Sequence, residues 1–339
     1  GDGDLDLFIG GRVSGEYPLS PRSYILRNDK GVFTDVTARV CPALQKGGMI
    51  TSAVWADIDN DKQPDLVVTG EWMPVRWFRN EHGVLQERTD SMGLTSMHGM
   101  WRSLIATDID NDGDIDLVAG NLGLNCDYRV SAEAPMDLYA ADIDGNGRID
   151  PVLFYYIKDA DGVRRSYPAP SRNQLAAQAP TIKKKFLLYE DYAKAGFEDI
   201  FPGKEKKDVL HFYCDESRSC WFENMGNGRF VKHVLPMEAQ FAPVNAIVCE
   251  DIDNDGYKDL LLAGNDYQTD VVTGRYDASY GCFLRGSNKK EFVAVPPDKS
   301  GFVLKGDVKD MALIRVAKGK RLVLAAVNND SVRAFQINN

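Results

Sequence analysis

Repeated antiparallel sheets in an all-β chain with little helix are predicted by three observations on this 339-residue sequence. An aspartate-rich nonapeptide recurs four times, each copy lies beside short apolar blocks, and Asn-Gly hairpin signals trail those blocks. The background composition, 44% hydrophobic and 27% charged, is that of a globular chain long enough for one large or two medium domains. No run approaches the roughly 18 apolar residues of a membrane-spanning helix, and no charged-then-apolar leader opens the chain. No membrane insertion is therefore expected within it. Fifty acids against 40 Lys and Arg leave a net charge of -10 and a pI near 5.0, which repels polyphosphate and ranks nucleic acid last among partners. Six cysteines are too sparse for a disulfide scaffold and form no CxxC pair; Cys214 and Cys220 alone are spaced for a local bridge.

Along the chain the nonapeptides are residues 57–65 (DIDNDKQPD), 108–116 (DIDNDGDID), 142–150 (DIDGNGRID) and 251–259 (DIDNDGYKD), sharing the pattern DxDx[DN]xxxD. Residues 2–7 superpose on 112–117, so the chain opens inside a fifth copy and more sequence is expected upstream. An apolar block follows each complete copy: residues 66–70, 117–120, 152–155 and 260–264. Such short blocks, rich in leucine and β-branched residues and bounded by turn formers, read as buried strands. Residues 52–56 and 245–249 read as strands entering two of the loops. Hairpins are signalled at 27–33 (RNDKGVF), 79–85 (RNEHGVL) and 223–230 (ENMGNGRF).

Calcium takes about 6–8 oxygen ligands, and a loop offering side-chain oxygens at positions 1, 3 and 5, a carbonyl at 7 and a carboxylate at 9 can wrap one ion. The pattern assigns Asp57, Asp59, Asp61 and Asp65 to the first site, and Asp108, Asp110, Asp112, Asp114 and Asp116 to the second. The third would use Asp142, Asp144, Asn146, Arg148 and Asp150, and the fourth Asp251, Asp253, Asp255, Tyr257 and Asp259. Asp114, Arg148 and Tyr257 stand at the carbonyl position. Gly113, Gly147 and Gly256 at position 6 supply the positive φ of the turn. Lys62 stands there in the first loop, which makes that site the least certain. Position 12 is Val68, Ala119, Leu153 or Leu262, never the bidentate Glu of a helix-loop-helix calcium hand. The loops hold 16 of the 50 acids, and four divalent ions would move the net charge from -10 to -2. Plain polar turns are the competing reading, but four copies that each cluster like charges require compensation, and a bound cation supplies it.

Position-9 aspartates at 6, 65, 116, 150 and 259 leave a last interval of 109 residues, room for two repeats. One loopless repeat is placed at 209–236, and another runs from Lys309 through 322–327 to Phe335. Seven repeats of about four strands predict a seven-bladed β-propeller spanning 1–339 as one domain. Residues 171–201 depart from this pattern. A Ser start and apolar residues at helical spacing (Ile182, Phe186, Tyr189, Tyr192) read as two helices inserted in the fourth blade. Lys183, Lys184 and Lys185 read as a solvated helix face.

The DxDxDGxxD loops and Asn-Gly hairpins resemble the FG-GAP/VCBS repeat family, the calcium-binding propeller repeat also found in integrin α subunits, over essentially the whole chain. More narrowly, KKKF, YEDYAKA, RYDASYG (275–281) and VKDMALIR (308–315) are similar to bacterial relatives of cartilage acidic protein, whose full-length members often carry an UnbV/ASPIC module. That module is not recognisable here. The resemblance implies a seven-bladed propeller, calcium in the blade loops and export to the periplasm, cell surface or medium. It implies no established activity, since these propellers usually bind rather than catalyse.

The expected role is a monomeric, non-catalytic protein- or glycan-recognition module with about four calcium sites, placed where millimolar calcium fills sites of roughly 10⁻⁴ to 10⁻³ M. Ligand contacts are expected away from the ions, at Trp72, Trp101, Arg102, Asn121, Arg275, Tyr276 and Tyr280, with inter-blade packing the competing role of the two tryptophans. The alternative is a calcium-dependent polysaccharide lyase or hydrolase. It has little to work with: four histidines (His82, His98, His211, His233), of which His98 is the best base, and no HExxH, GxSxG or Walker loop.

Overall fold

The computed structural model describes residues 3–226, 228–271 and 273–337, and every complete nonapeptide closes a hairpin in one register. The residue before position 1 pairs with the position-9 aspartate: Ala56 with Asp65, Thr107 with Asp116, Ala141 with Asp150 and Glu250 with Asp259. The expected strands all form. The strand after the loop is a continuous apolar run because its alternate residues feed cores on opposite faces. Leu66 and Val68 pack toward the N-terminal sheet while Val67 packs with Leu117 and Ala119; Val118 in turn packs with Leu260 and Leu262.

Six antiparallel sheets result among the described residues. The N-terminal sheet holds Leu7–Ile9, Tyr24–Asp29 and Val32–Asp35. The Asp57 sheet holds Met49–Ala56, Asp65–Met73, Arg76–Glu81 and Val84–Glu87, with Gly99–Met100 added at its end. The Asp251 sheet holds Val244–Glu250, Asp259–Gly264, Cys282–Arg285 and Val293–Val295, and the C-terminal sheet Val308–Arg315, Arg321–Val327 and Arg333–Ile337. The hairpin signals at 27–33 and 79–85 close as two-residue turns with both central residues at positive φ: Lys30 and Gly31, then His82 and Gly83. Asp2 of the partial fifth copy and Asn227 of the third hairpin lie outside the described residues.

The expected loopless blade at 209–236 does not exist as a unit. Leu210–Cys214 pairs with Met136–Ala141, joining Asp150–Lys158 and Arg164–Pro168 in the Asp142 sheet. Cys220–Asn224 pairs with Asp116–Gly120, and with Ser103–Thr107 and Phe230–Val234 it completes the Asp108 sheet. The Asp142 sheet is therefore inserted between the second and third strands of the Asp108 sheet. Packing follows the same division. Apolar clusters join the N-terminal, Asp57, Asp108, Asp251 and C-terminal sheets in that order, while the Asp142 sheet packs on Met49 and Trp72 to one side. Six sheets, five of them in series, replace the expected seven.

Between Arg164–Pro168 and Leu210–Cys214 lie four short α-helices where two are expected: Arg172–Gln178, Thr181–Lys185, Tyr189–Ala193 and Phe197–Ile200. A capping box starts the first, with Gln174 N donating to Ser171 Oγ (3.3 Å) and Ser171 N to Gln174 Oε1 (2.8 Å). Extended backbone at Ala179, Leu188 and Gly196 interrupts the run. Helices this short depend on tertiary packing; Leu175, Ile182, Phe186, Tyr192 and Phe197 cover Tyr139 and Phe154. Tyr189, at helical spacing with them, is instead 59% exposed and lies under the Arg172 guanidinium. Cys214 and Cys220, spaced for a local bridge, do not form one: all six cysteines are free, and these two sit in strands of different sheets. Among the described residues no helix is long and apolar enough to cross a membrane.

Candidate metal loops and recognition face

The four loops share one hydrogen-bond scheme. The position-6 backbone N–H donates to the position-1 carboxylate: Lys62 to Asp57 (2.8 Å), Gly113 to Asp108 (3.1 Å), Gly147 to Asp142 (2.8 Å) and Gly256 to Asp251 (3.0 Å). The position-7 N–H donates to position 5: Gln63 to Asp61, Asp114 to Asp112, Arg148 to Asn146 and Tyr257 to Asp255. Lys62 adopts φ 68° and leaves this turn intact. Position 4 also needs positive φ and is Asn60, Asn111, Gly145 or Asn254.

Position 9 has a structural role of its own. Asp65, Asp116, Asp150 and Asp259 are all buried, and each accepts the position-2 N–H, from Ile58, Ile109, Ile143 and Ile252 respectively. Three of them also accept an N–H from the third strand or the residue just after it: Asn80 to Asp65 (2.7 Å), Asn224 to Asp116 (2.8 Å) and Gly286 to Asp259 (2.9 Å). Asp6 of the partial copy does the same with Asn28 (2.9 Å). The aspartate thus staples loop to sheet. Burial pushes the carboxyls of all four upward, Asp116 to about 7, with Asp110 and Asp112 adding repulsion there.

Carboxylate oxygens converge within 4.8 Å of one another in Asp57, Asp59 and Asp61; Asp108, Asp110 and Asp116; Asp142, Asp144 and Asp150; and Asp251, Asp253 and Asp255. Asp59 Oδ1 and Asp108 Oδ1 are buried without a hydrogen-bond partner. In the Asp108 loop, such an orphaned oxygen in an all-oxygen donor set fits a hard divalent cation. Basic side chains treat the loops differently. Arg79 pairs with Asp59 and Asp61 in the first, Lys290 with Asp110 in the second (2.5 Å) and Arg285 with Asp253 in the fourth (3.6 Å). No ion pair to Asp142, Asp144 or Asp150 occurs among the described residues.

The expected ligand-face residues divide. Trp101 and Asn121 are fully buried and Trp72 nearly so, so none of the three is a surface contact. Trp101 packs edge-on to Phe222, and Trp72 joins the Asp57 and Asp142 sheets, its Nε1 donating to Tyr17 Oη (3.2 Å). Asn121 Nδ2 donates to Glu216 O and its N–H to Ser219 Oγ, clamping the two chain segments that enter and leave the insertion. Arg102 bridges Glu71 (3.4 Å) and Asp266 (3.8 Å). Arg275 and Tyr280 are exposed, with Arg275 over Tyr267 and Lys305 over Tyr280. Tyr276 is half-buried, its backbone paired with Asp266. His98 packs on Tyr213 with the rings tilted (4.1 Å between centroids), and Asp215 accepts its backbone N–H rather than a ring proton.

Sequence reasoning missed two sets of residues. Asn265 clamps the 265–281 connection as Asn121 clamps the insertion, donating to Ser279 O and Gly306 O. The shared Ala-Gly-Asn at 119–121 and 263–265 was the available signal. The third-strand residues Arg79, Glu223 and Arg285, one before each staple partner, carried no signal beyond the hairpin motif itself.

Residues 1–68 and 57–119 match the family of FG-GAP-like repeats. The comparisons lend no support to the narrower likeness to cartilage acidic protein and its UnbV/ASPIC relatives. No curated protein matches the chain. Among solved structures, the V. cholerae biofilm matrix protein Bap1 aligns with 95% of this chain at 8% identity and a TM-score of 0.32. This chain spans 66% of that protein's length, and a likeness so loose carries no argument.

Proposed function

From FG-GAP-like repeats over residues 1–119 and four oxygen-lined loops, we propose that the chain is an extracytoplasmic, non-catalytic recognition module of the β-propeller type, stiffened by calcium. One observation carries the calcium reading: buried, partnerless Asp108 Oδ1 within a loop that converges three carboxylates. Asp108, Asp110 and Asp116 would hold the ion, which supplies charge neutralisation and a cross-link between loop and sheet. Recognition falls to the opposite end of the strands, where the 265–281 connection exposes Arg275 and Tyr280 for protein or glycan contact. Catalysis is not part of the proposal.

Calorimetric titration of chelated protein with calcium is expected to show binding and a stability gain of about 3–4 kcal/mol at saturation. No binding at millimolar calcium removes the calcium reading. A glycan array and a partner pull-down, each comparing wild type with Arg275→Ala and Tyr280→Ala, test recognition. Wild-type signals that either variant weakens support it, and blank results in both assays reject it.

A further inference from the structure

Leu66, Leu117 and Leu260 follow the position-9 aspartates and pair with Phe78, Phe222 and Leu284. The next third-strand residue is therefore equivalent in the three sheets: Arg79, Glu223 and Arg285. In the Asp57 sheet Arg79 Nε donates to Asp59 Oδ2, Nη2 donates to Asp61 Oδ2 (3.1 Å) and Nη1 lies 3.9 Å from Glu81. Asp59 and Asp61 are two of the three converging carboxylates of that loop. Arg285 by contrast stops 3.6 Å from Asp253. In the Asp108 sheet Glu223 adds a carboxylate, and the nearby cation is Lys290, which reaches over from the Asp251 sheet to within 2.5 Å of both Asp110 and Glu223.

We propose that the Asp57 loop is not a divalent-cation site, because the Arg79 guanidinium fills the cation position. The inference rests on the reading that the remaining loops bind calcium. A guanidinium keeps its proton and presents a planar fork that two carboxylates can share. Tethered on the adjacent strand, it competes at high effective concentration with any free ion.

The test is calcium stoichiometry of the full chain, read with terbium luminescence sensitised by Trp77, whose indole N–H donates to Asp65 Oδ2 at 2.9 Å. Asp108→Asn is expected to lower the wild-type stoichiometry by one and Asp57→Asn to leave it unchanged. Arg79→Met is expected to raise it by one, with new terbium emission that Trp77→Phe removes. Should Arg79→Met fail to fold, Arg79→Gln retains a donor toward Asp59 and carries the same expectation. A wild-type ion lost on Asp57→Asn, or no added ion in the Arg79 variant, overturns the proposal. If the wild type takes no calcium anywhere, the functional reading falls by itself, and the Arg79 variant still decides: one ion gained upholds the inference and none rejects it.

Discussion

The Asp57, Asp108 and Asp251 loops are wired to their neighbours, and the Asp142 loop is not. Asn60 Nδ2 donates to Asp114 Oδ1 (2.5 Å), Asn111 Nδ2 to Gly256 O (3.0 Å), and Arg321 of the C-terminal sheet donates to Asn254 Oδ1 (3.0 Å) and Asp251 O (2.5 Å). The backbone N–H bonds of the Asp142 loop stay within it, and the side chain that reaches it from outside is Gln178 of the first inserted helix, which bonds Asp150 rather than a neighbouring sheet. Position 4 explains the contrast. Its positive φ admits Asn or Gly at low cost, but only Asn can also hydrogen-bond sideways, as donor at Asn60 and Asn111 and as acceptor at Asn254, and only the inserted sheet carries Gly there. The staple differs too, since Asp150 accepts one backbone N–H where Asp116 accepts two.

Removing the staples should separate the two regions most. Asp116→Ala strands the buried N–H groups of Ile109 and Asn224 and is expected to cost about 2–6 kcal/mol, at roughly 1–3 for each unsatisfied donor. Asp150→Ala strands one such donor and should cost about 1–3 kcal/mol. Urea unfolding in excess calcium would read both, and equal losses would erase the contrast.

A pH titration sharpens it next. Burial raises the folded Asp116 carboxyl to about 7, while the unfolded chain loses that proton near the ordinary aspartate value of about 4. Between those limits the folded state binds more protons, so stability in chelator should fall as pH rises from about 4 to 7. Calcium, which favours the ionised form, should flatten that slope. A chelated protein that instead gains stability over this window would refute the assignment.

The smallest expected effect isolates the lateral bond. Asn111→Gly keeps the positive φ and removes the donor to Gly256 O, at about 0.5–1.5 kcal/mol. Gly145→Asn in the inserted loop has no neighbour to reach and should shift stability by only about 0.5 kcal/mol or less. Thermal melts of the pair would show whether position 4 distinguishes serial sheets from the insertion.

Much of this was visible before any coordinates. The blocks at 66–70, 117–120, 152–155 and 260–264, and the turns at Lys30 and His82, are local patterns, and each forms where expected. What escaped depends on partners far away in sequence. Nothing local states that Phe222 pairs with Leu117, so Cys220–Asn224 reads as part of a new repeat. Arg79 and Glu223 acquire meaning through cross-strand register, and Trp101 and Asn121 through burial, which aromatic or amide identity does not reveal. Pro180 and Gly196 were available as helix breakers, but helical spacing at Ile182, Phe186 and Tyr192 hid the interruptions.

The inserted sheet also imposes a schedule on biosynthesis. Leu117 leaves the ribosome 105 residues ahead of Phe222, its partner across the ladder, so at about 5–20 residues per second the nascent Asp116–Gly120 strand waits about 5–20 s with one side bare. A hydrophobic edge left open that long invites pairing with another chain.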